Sequence, residues 1–283
     1  MELFKGLSSM THNQKIPQIS VIMPSFNAEK YIGESIESIL RQTFNRFELI
    51  INDDNSTDAT WDIICKYAIQ DSRIKLFQNE STLGIAGNRN RGLRLARSEY
   101  IAWQDADDIS MPKRLEKQFR FMQENTDVAI VGAFLEFFDD SGTLNRRTYD
   151  TTDGPLRRKI FRFSPVAQPV AMIRKKCLDA VGEYDLRYPP AEDIDMSFRL
   201  GERYRFANIP EVLLQYRQHA ASATFSKLKT IEINTIEIRK RYFKHPSYYA
   251  TIFDRIYNFL QYVSIYTLSP EFKIWLFNKL RNV

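Results

Sequence analysis

Cysteine and glycine are both scarce in this chain, and each scarcity removes a class of chemistry. Only two cysteines occur among 283 residues, Cys65 and Cys177, far apart and without metal-ligand spacing. Neither a disulfide framework nor a thiolate zinc site is expected, and a reducing cytoplasm is the natural setting. Ten glycines leave no glycine-rich phosphate loop: where G-x-G-x-x-G or G-x-x-x-x-G-K-S/T would follow a first strand, this chain reads PSFNAEKYIGES. No run of about twenty uncharged apolar residues exists, and MELFKGLSSM lacks the apolar core of a signal peptide, so a chain that does not span a membrane is expected. What remains is globular in composition, 43% hydrophobic and 27% charged, enough to bury one full core with an appendage.

The net charge of +5 sits at one end. From Phe225 onward ten Lys and Arg face four Asp and Glu, so this tail carries +6 and the first 224 positions carry −1. No nucleic-acid motif accompanies it; the basic residues interleave with Tyr, Phe, Trp and Ile, which suits a membrane surface or a partner helix better. Leu228, Ile231, Thr235, Ile238 and Tyr242 form one narrow helical stripe, and Ile252 to Leu268 continues with an apolar face. Ser269-Pro270-Glu271 starts a last helix bearing Phe272, Trp275, Leu276, Phe277 and Leu280 among Lys273, Lys279 and Arg281, the mixture of an interfacial anchor. A tail that packs back on the rest of the chain, or pairs two chains, fits the same pattern.

The first half alternates strand and helix. Ile19 to Met23, Phe47 to Ile51, Arg73 to Phe77 and Glu99 to Gln104 read as strands. Between and after them lie helical patterns from Ala28, around Ile64, Cys65 and Ala68, from Asn88 to Ala96, and through Leu115, Phe119 and Met122. Val128 to Phe138 reads as one or two more strands and Val212 to Gln218 as another; the path from Phe138 to Ser164 is not derivable. Repeated units of this kind build an α/β fold with a mostly parallel central sheet flanked by helices, whose ligands sit at the carboxyl ends of the strands. Polar residues crowd those ends: Pro24-Ser25-Phe26-Asn27, Asp53-Asp54-Asn55-Ser56, Asn79-Glu80 and Asp105 to Asp108.

Three aspartates at one strand end need a reason. A period of two sends Asp105 and Asp107 to the same side, and carboxylates held together repel unless a cation or proton intervenes. Mg²⁺ takes one or two protein carboxylates and completes its shell with phosphates and water. The alternative is that these are solvated loop acids before a helix beginning near Pro112, where proline suits the first position. Ser56 reads as an N-cap and Asp58 as a first-turn acid. Asp53 and Asp54 come earlier than capping requires, leaving at least one for a ligand such as a base or ribose.

ISVIMPSFNAEKYIGESIESILRQTF, ELIINDDNSTDAT, GIAGNRNRGLRLARSEYIAWQDADD and PPAEDIDMSFRL together resemble, in order and spacing, the family 2 glycosyltransferases. These are inverting enzymes with the A-type nucleotide-diphospho-sugar transferase fold, whose nucleotide-binding half is Rossmann-like. The resemblance covers roughly residues 17–219. It implies that Asp54 hydrogen-bonds the nucleotide base, that Pro24, Ser25 and Phe26 flank base and ribose, and that Arg89, in an Arg-Asn pair with Asn90, lies near the nucleotide. It further implies that Asp105 touches ribose or a metal-bound water and that Asp107 ligates Mn²⁺ or Mg²⁺; Asp108 reads as a helix-start or supporting residue. Asn55 stands where Gly is commoner, and Asn also tolerates a left-handed backbone. His219, in YRQHAAS, resembles a Tyr-Arg-x-His segment whose imidazole approaches the metal or diphosphate, the alternative being a loop histidine satisfied by water.

Glu192 and Asp193 open a helical pattern, where Ile194, Phe198 and the stem of Arg203 can share a face, so dipole chemistry alone could place two acids there. The resemblance instead makes Asp193 the general base and sets Glu192 against the acceptor sugar. Asp195 and Arg199, four apart, read as a helical ion pair. The function implied is metal-dependent transfer, with inversion, of a sugar from a nucleotide-diphosphate donor, UDP first on family frequency, to a hydroxyl of a saccharide or lipid-linked acceptor in bacterial surface polysaccharide synthesis. The alternatives are a sugar-nucleotide pyrophosphorylase, which should show a Gly-rich, Arg- and Lys-bearing loop after the first strand, and an inactive nucleotide-sugar binding module. The expected division is an arm over 1–16, a catalytic domain over 17–224 and a helical tail over 225–283. The expected location is cytoplasmic, at the inner face of the plasma membrane, with the tail touching membrane or forming a homodimer.

Overall fold

The computed structural model describes residues 16–219 and 227–269, together with 272, 273, 275, 276 and 279. Most of the expected arm, the boundary at 224, His12, and Pro270, Glu271, Phe277, Leu280 and Arg281 of the expected last helix lie outside the described residues.

Strands β1 (Ile19–Ser25), β2 (Phe47–Asp53), β3 (Ile74–Gln78) and β4 (Tyr100–Trp103) alternate with helices α1 (Ile32–Leu40), α2 (Thr60–Gln70) and α3 (Gly84–Leu95). Then come β5 (Ile109–Ser110), α4 (Arg114–Glu124), β6 (Val128–Asp139), β7 (Gly142–Arg147), α5 (Asp153–Lys159), β8 (Met172–Arg174), α6 (Lys175–Val181), α7 (Glu192–Gly201) and β9 (Arg205–Arg217). The tail supplies α8 (Leu228–Tyr242) and α9 (Ile252–Thr267).

One sheet runs β3-β2-β1-β4-β8-β6-β9-β5, with β7 on β6. Its first four strands are parallel, and β6 with β9 is parallel too; β8, β5 and β7 pair antiparallel. The antiparallel strands could not be read from β-α periodicity, because β5 and β8 are two and three residues long and β7 returns from β6 in a hairpin. The segment from Phe138 to Ser164 holds β7 and α5, and β6 is one twelve-residue strand.

Both faces of the sheet are covered, so β1 and β2 are buried throughout. Ile19, Val21 and Met23 point to the side of Ile32, Ile36, Ile64 and Leu115. Ile22 and Ile50 point to the side of Leu93, Phe198 and Tyr242. Helix α3 approaches β1 at Gly92, where an added Cβ would stand 2.4 Å from Ile22 Cγ2. On the same face Tyr242 of α8 stacks on Phe198 of α7, ring centroids 4.4 Å apart. The α8 stripe is therefore built into the core, with Ile238 fully buried, each such aliphatic side chain contributing about 1.5–3 kcal/mol.

Candidate active site

The registers bring the strand ends to one edge: Ser25 pairs with Asp53, and Ile22 with Trp103, the last residue of β4. After β2 the chain turns through Asn55 at φ 62, as the Asn-for-Gly substitution suggested. Both neighbouring acids are spoken for. Asp53 accepts from Ser56 N at 3.0 Å and Ser56 Oγ at 2.6 Å, so it shapes this turn, and Ser56 is not the helix N-cap, which is Ala59. Asp58 accepts from Thr60 N at 3.0 Å. Asp54 accepts from Asn79 Nδ2 at 2.6 Å, Leu83 N at 2.8 Å and Gly84 N at 2.9 Å, capping α3. Asp54 therefore also has a structural duty, supplying the start of α3 with a carboxylate that the helix's own residues do not provide. Asp54 N in turn donates to the Ser25 carbonyl at 2.9 Å. Pro24 and Ser25 are buried at the end of β1, whereas Phe26 is 50% exposed at the same edge.

The aspartates after β4 lie in a turn rather than an extended strand: Asp108 N donates to the Asp105 carbonyl at 3.3 Å. The helix begins at Arg114, two residues past Pro112, because β5 intervenes. Asp108 is neither exposed nor a helix-start residue. It is fully buried, and Arg217 N donates to its Oδ1 at 2.9 Å while its Oδ2 has no partner among the described residues. Burial, with Asp107 and Asp105 adding repulsion, raises its pKa well above the carboxylate range. The β5–β9 ladder pairs Ile109 with Gln215 and so draws this turn against the end of β9. There His219 Nε2 lies 2.8 Å from Asp107 Oδ2, and the Arg217 guanidinium bonds the Asp107 carbonyl and pairs with Glu34 of α1. Arg217 was not singled out from the sequence, although it stands two residues before His219 in the segment that carried the resemblance.

Beneath the turn, Arg114 is fully buried and donates to Gln104 Oε1 at 2.9 Å and Ser110 Oγ at 2.8 Å. Burial pulls its pKa down to about 9, against Asp108 and Asp105, so it remains a cation at neutral pH.

Arg89, on α3, joins two motifs separated in sequence. Its guanidinium is bonded to Glu192 Oε1 and lies 3.5 Å from Asp105 Oδ1. Burial opposes its charge, but Glu192 and Asp105 outweigh that and raise its pKa. Asn90 beside it clamps the backbone of Tyr184, donating to its carbonyl at 2.9 Å and accepting from its N–H at 2.8 Å. Glu192 is 2% exposed, its Oε2 has no hydrogen-bond partner among the described residues, and burial pushes its pKa up to about 7 even with Arg89 opposing. Asp193 accepts from Ile194 N at 2.9 Å, and burial, opposed by Arg89, raises its pKa. Asp195 pairs with Arg199 at 2.7 Å and Arg241 at 3.4 Å, fixing α7 to α8. Helix α7 ends at Gly201, so Arg203 shares no helical face with Phe198.

Replacing Arg89 by Leu leaves two carboxylates in the fold without their cation. A loss of about 3–5 kcal/mol is expected in urea unfolding, partly restored by Lys. An unchanged midpoint would mean that Glu192 is protonated and the pair is not ionic.

Asp193 also lines a cavity of about 310 Å³, walled by Phe137 and Tyr216 of the sheet on one side and by Ile231 of α8 and Gln261 of α9 on the other. As for a metal, among the described residues no three His, Cys, Asp and Glu groups gather to hold one. Asp107 and His219 supply a carboxylate and an imidazole at adjacent atoms, a donor pair that suits Mn²⁺ better than Mg²⁺, with diphosphate and water to complete the shell.

The fold is that of the A-type nucleotide-diphospho-sugar transferases. A mannosyltransferase from Pyrobaculum calidifontis, solved in complex with GDP-Man and Mn²⁺, matches at a TM-score of 0.63 and 15% identity over 90% of this chain and 71% of that one. The family model for glycosyl transferase family 2 matches residues 20–182. An uncharacterized glycosyltransferase of Methanocaldococcus jannaschii is 33% identical over 83% of this chain and 82% of its own length. A UDP-Glc:α-D-GlcNAc-diphosphoundecaprenol β-1,3-glucosyltransferase of Escherichia coli is 31% identical over 75% and 82%. The chain belongs to glycosyltransferase family 2, and it is a glycosyltransferase.

Proposed function

We propose that this enzyme is a metal-dependent, inverting glycosyltransferase that moves a hexosyl group from a UDP-sugar to a hydroxyl of a saccharide or lipid-linked saccharide in bacterial surface polysaccharide synthesis. Residues 17–224 form the catalytic unit and 225–283 the tail. The observation that carries this reading is the Arg89 bridge, which ties the donor-side Asp105 to Glu192 beside Asp193, so donor and acceptor groups share one electrostatic unit.

In this reading Asp54 orders the start of α3 under the base, Phe26 offers a half-exposed ring to it, and Pro24 and Ser25 form the wall behind. Asp105, held by Arg89, faces ribose. Asp107 and His219 would hold Mn²⁺ or Mg²⁺, which would supply charge neutralisation for the leaving nucleoside diphosphate. An acceptor hydroxyl in the cavity beside Asp193 gives its proton to that carboxylate as its oxygen bonds the anomeric carbon and the bond to the diphosphate oxygen breaks. Configuration inverts in this single displacement. The raised pKa of Asp193 makes it a stronger base than an exposed aspartate. Glu192, locked by Arg89, orients the acceptor. Lipid-linked acceptors place the enzyme at the inner face of the plasma membrane as a peripheral protein. No described helix is long and apolar enough to cross a membrane.

The test is a melting-temperature screen against UDP, GDP, dTDP and CDP, each with Mn²⁺. UDP with Mn²⁺ should raise the midpoint most, by about 2.7 kcal/mol of stabilisation at a hundredfold excess over Kd. A preference for GDP would replace the donor assignment, and stabilisation by none of the four would sink the reading.

A further inference from the structure

Helix α9 is amphipathic in the reverse of the usual sense. Its most buried side chains are polar: Asp254 and Asn258 are 1% and 2% exposed, with Ile265 on the same side at 8%. Arg162 Nε lies 2.9 Å from Asp254, Asn258 donates to the Phe161 carbonyl at 2.8 Å, and Arg239 donates to Gln261 Oε1 at 3.0 Å. These contacts fix the helix's rotation, and Gln261 on this inner side reaches the cavity that Asp193 lines. The outer side carries Ile252, Phe253, Ile256, Phe259, Leu260, Val263 and Tyr266, exposed by 39% at Val263 to 74% at Phe253. At about 100° per residue these positions fall within one half of the helix. A surface helix ordinarily does the opposite, and a contiguous apolar patch of this kind marks an interaction site.

We propose that the outer face of α9 docks on an anionic lipid bilayer. Charge decides between a bilayer and a second copy of the chain. Exposed cations rim the face: Lys229 stands 5.0 Å from the Tyr266 ring centroid, Lys240 5.5 Å from that of Tyr262, and Arg255 4.9 Å from that of Phe243. Of the described tail acids, Asp254 is buried against Arg162 and Glu232 against Lys273, leaving Glu237 exposed. A two-fold dimer would set this cationic rim against its own copy, whereas lipid phosphates neutralise it. Tyr262 and Tyr266 suit the headgroup level, with an apolar body and a polar tip. The docked helix presents its inner side to the acceptor cavity, so a lipid-linked sugar reaches Asp193 from the surface on which the protein rests. This deepens the membrane-side part of the proposed function and rests on that reading for its purpose.

The full chain should cosediment with vesicles of phosphatidylcholine and phosphatidylglycerol in low salt, and far less with phosphatidylcholine alone or at high salt. Phe253→Glu with Phe259→Glu should lower partitioning roughly 100-fold. Lys240→Gln should lower it about fivefold. Since all three positions are exposed, melting temperature and UDP binding should not change in these variants. Failure of the full chain to bind anionic vesicles, or equal binding by the double variant, overturns the proposal. A dimer that the double variant splits, without vesicle binding, gives the face to a second copy. Vesicle binding in a chain that binds no nucleotide would leave this inference standing and remove the donor reading.

Discussion

In Asp193→Asn, sugar transfer is expected to fall by about 10²- to 10⁴-fold while folding and donor binding persist, because the amide keeps the shape of the side chain but cannot take the acceptor's proton. The carboxylate sits at the first turn of α7, with its Oδ1 held by Ile194 N and its edge on the cavity. Its pH dependence supplies a second readout. Burial raises the Asp193 pKa, so the base is protonated and the rate falls on the acid side at a pH above the ordinary aspartate value. That acid limb should vanish from the residual activity of the variant. Turnover within a few fold of the parent would move the base to Glu192, whose pKa of about 7 and whose Oε2, unpartnered among the described residues, make it the next group to test.

Asp107→Ala should abolish metal-dependent nucleotide binding, measured by calorimetry with UDP and Mn²⁺. The variant leaves His219 without its carboxylate partner and removes the carboxylate that would hold a cation between the Asp105 turn and a diphosphate. The protein should remain folded, since Asp107 is only partly buried and the turn is held by other bonds, Arg217 to the 107 carbonyl and Arg217 N to Asp108. Metal-dependent UDP binding at parental strength would place the cation elsewhere. His219→Ala should weaken the same binding by less, because diphosphate and water can replace one neutral ligand more readily than a charge.

The sequence determined the alternation of β1 to β4 with α1 to α3, the polar edge at their carboxyl ends and the absence of a glycine phosphate loop. Each of these follows from period, strand length or residue type within about ten neighbours. It also placed Asp193 in the first turn of α7 and the α8 stripe, because a helix repeats its contacts every three or four residues. Only the tertiary structure decided what those side chains meet. Asp53 and Asp54 are turn and cap residues because Ser56 and Gly84 fold onto them. Asp108 is buried because Arg217, more than a hundred residues on, closes over it. Arg89 spans Asp105 and Glu192 because the fold sets the end of β4 and the start of α7, far apart in sequence, within reach of one guanidinium on α3. The inversion of α9 belongs to the same class. An apolar face read from the sequence says that something covers it, but which side faces the protein was set by where Arg162, Arg239 and the Phe161 carbonyl stand, and these lie outside the helix.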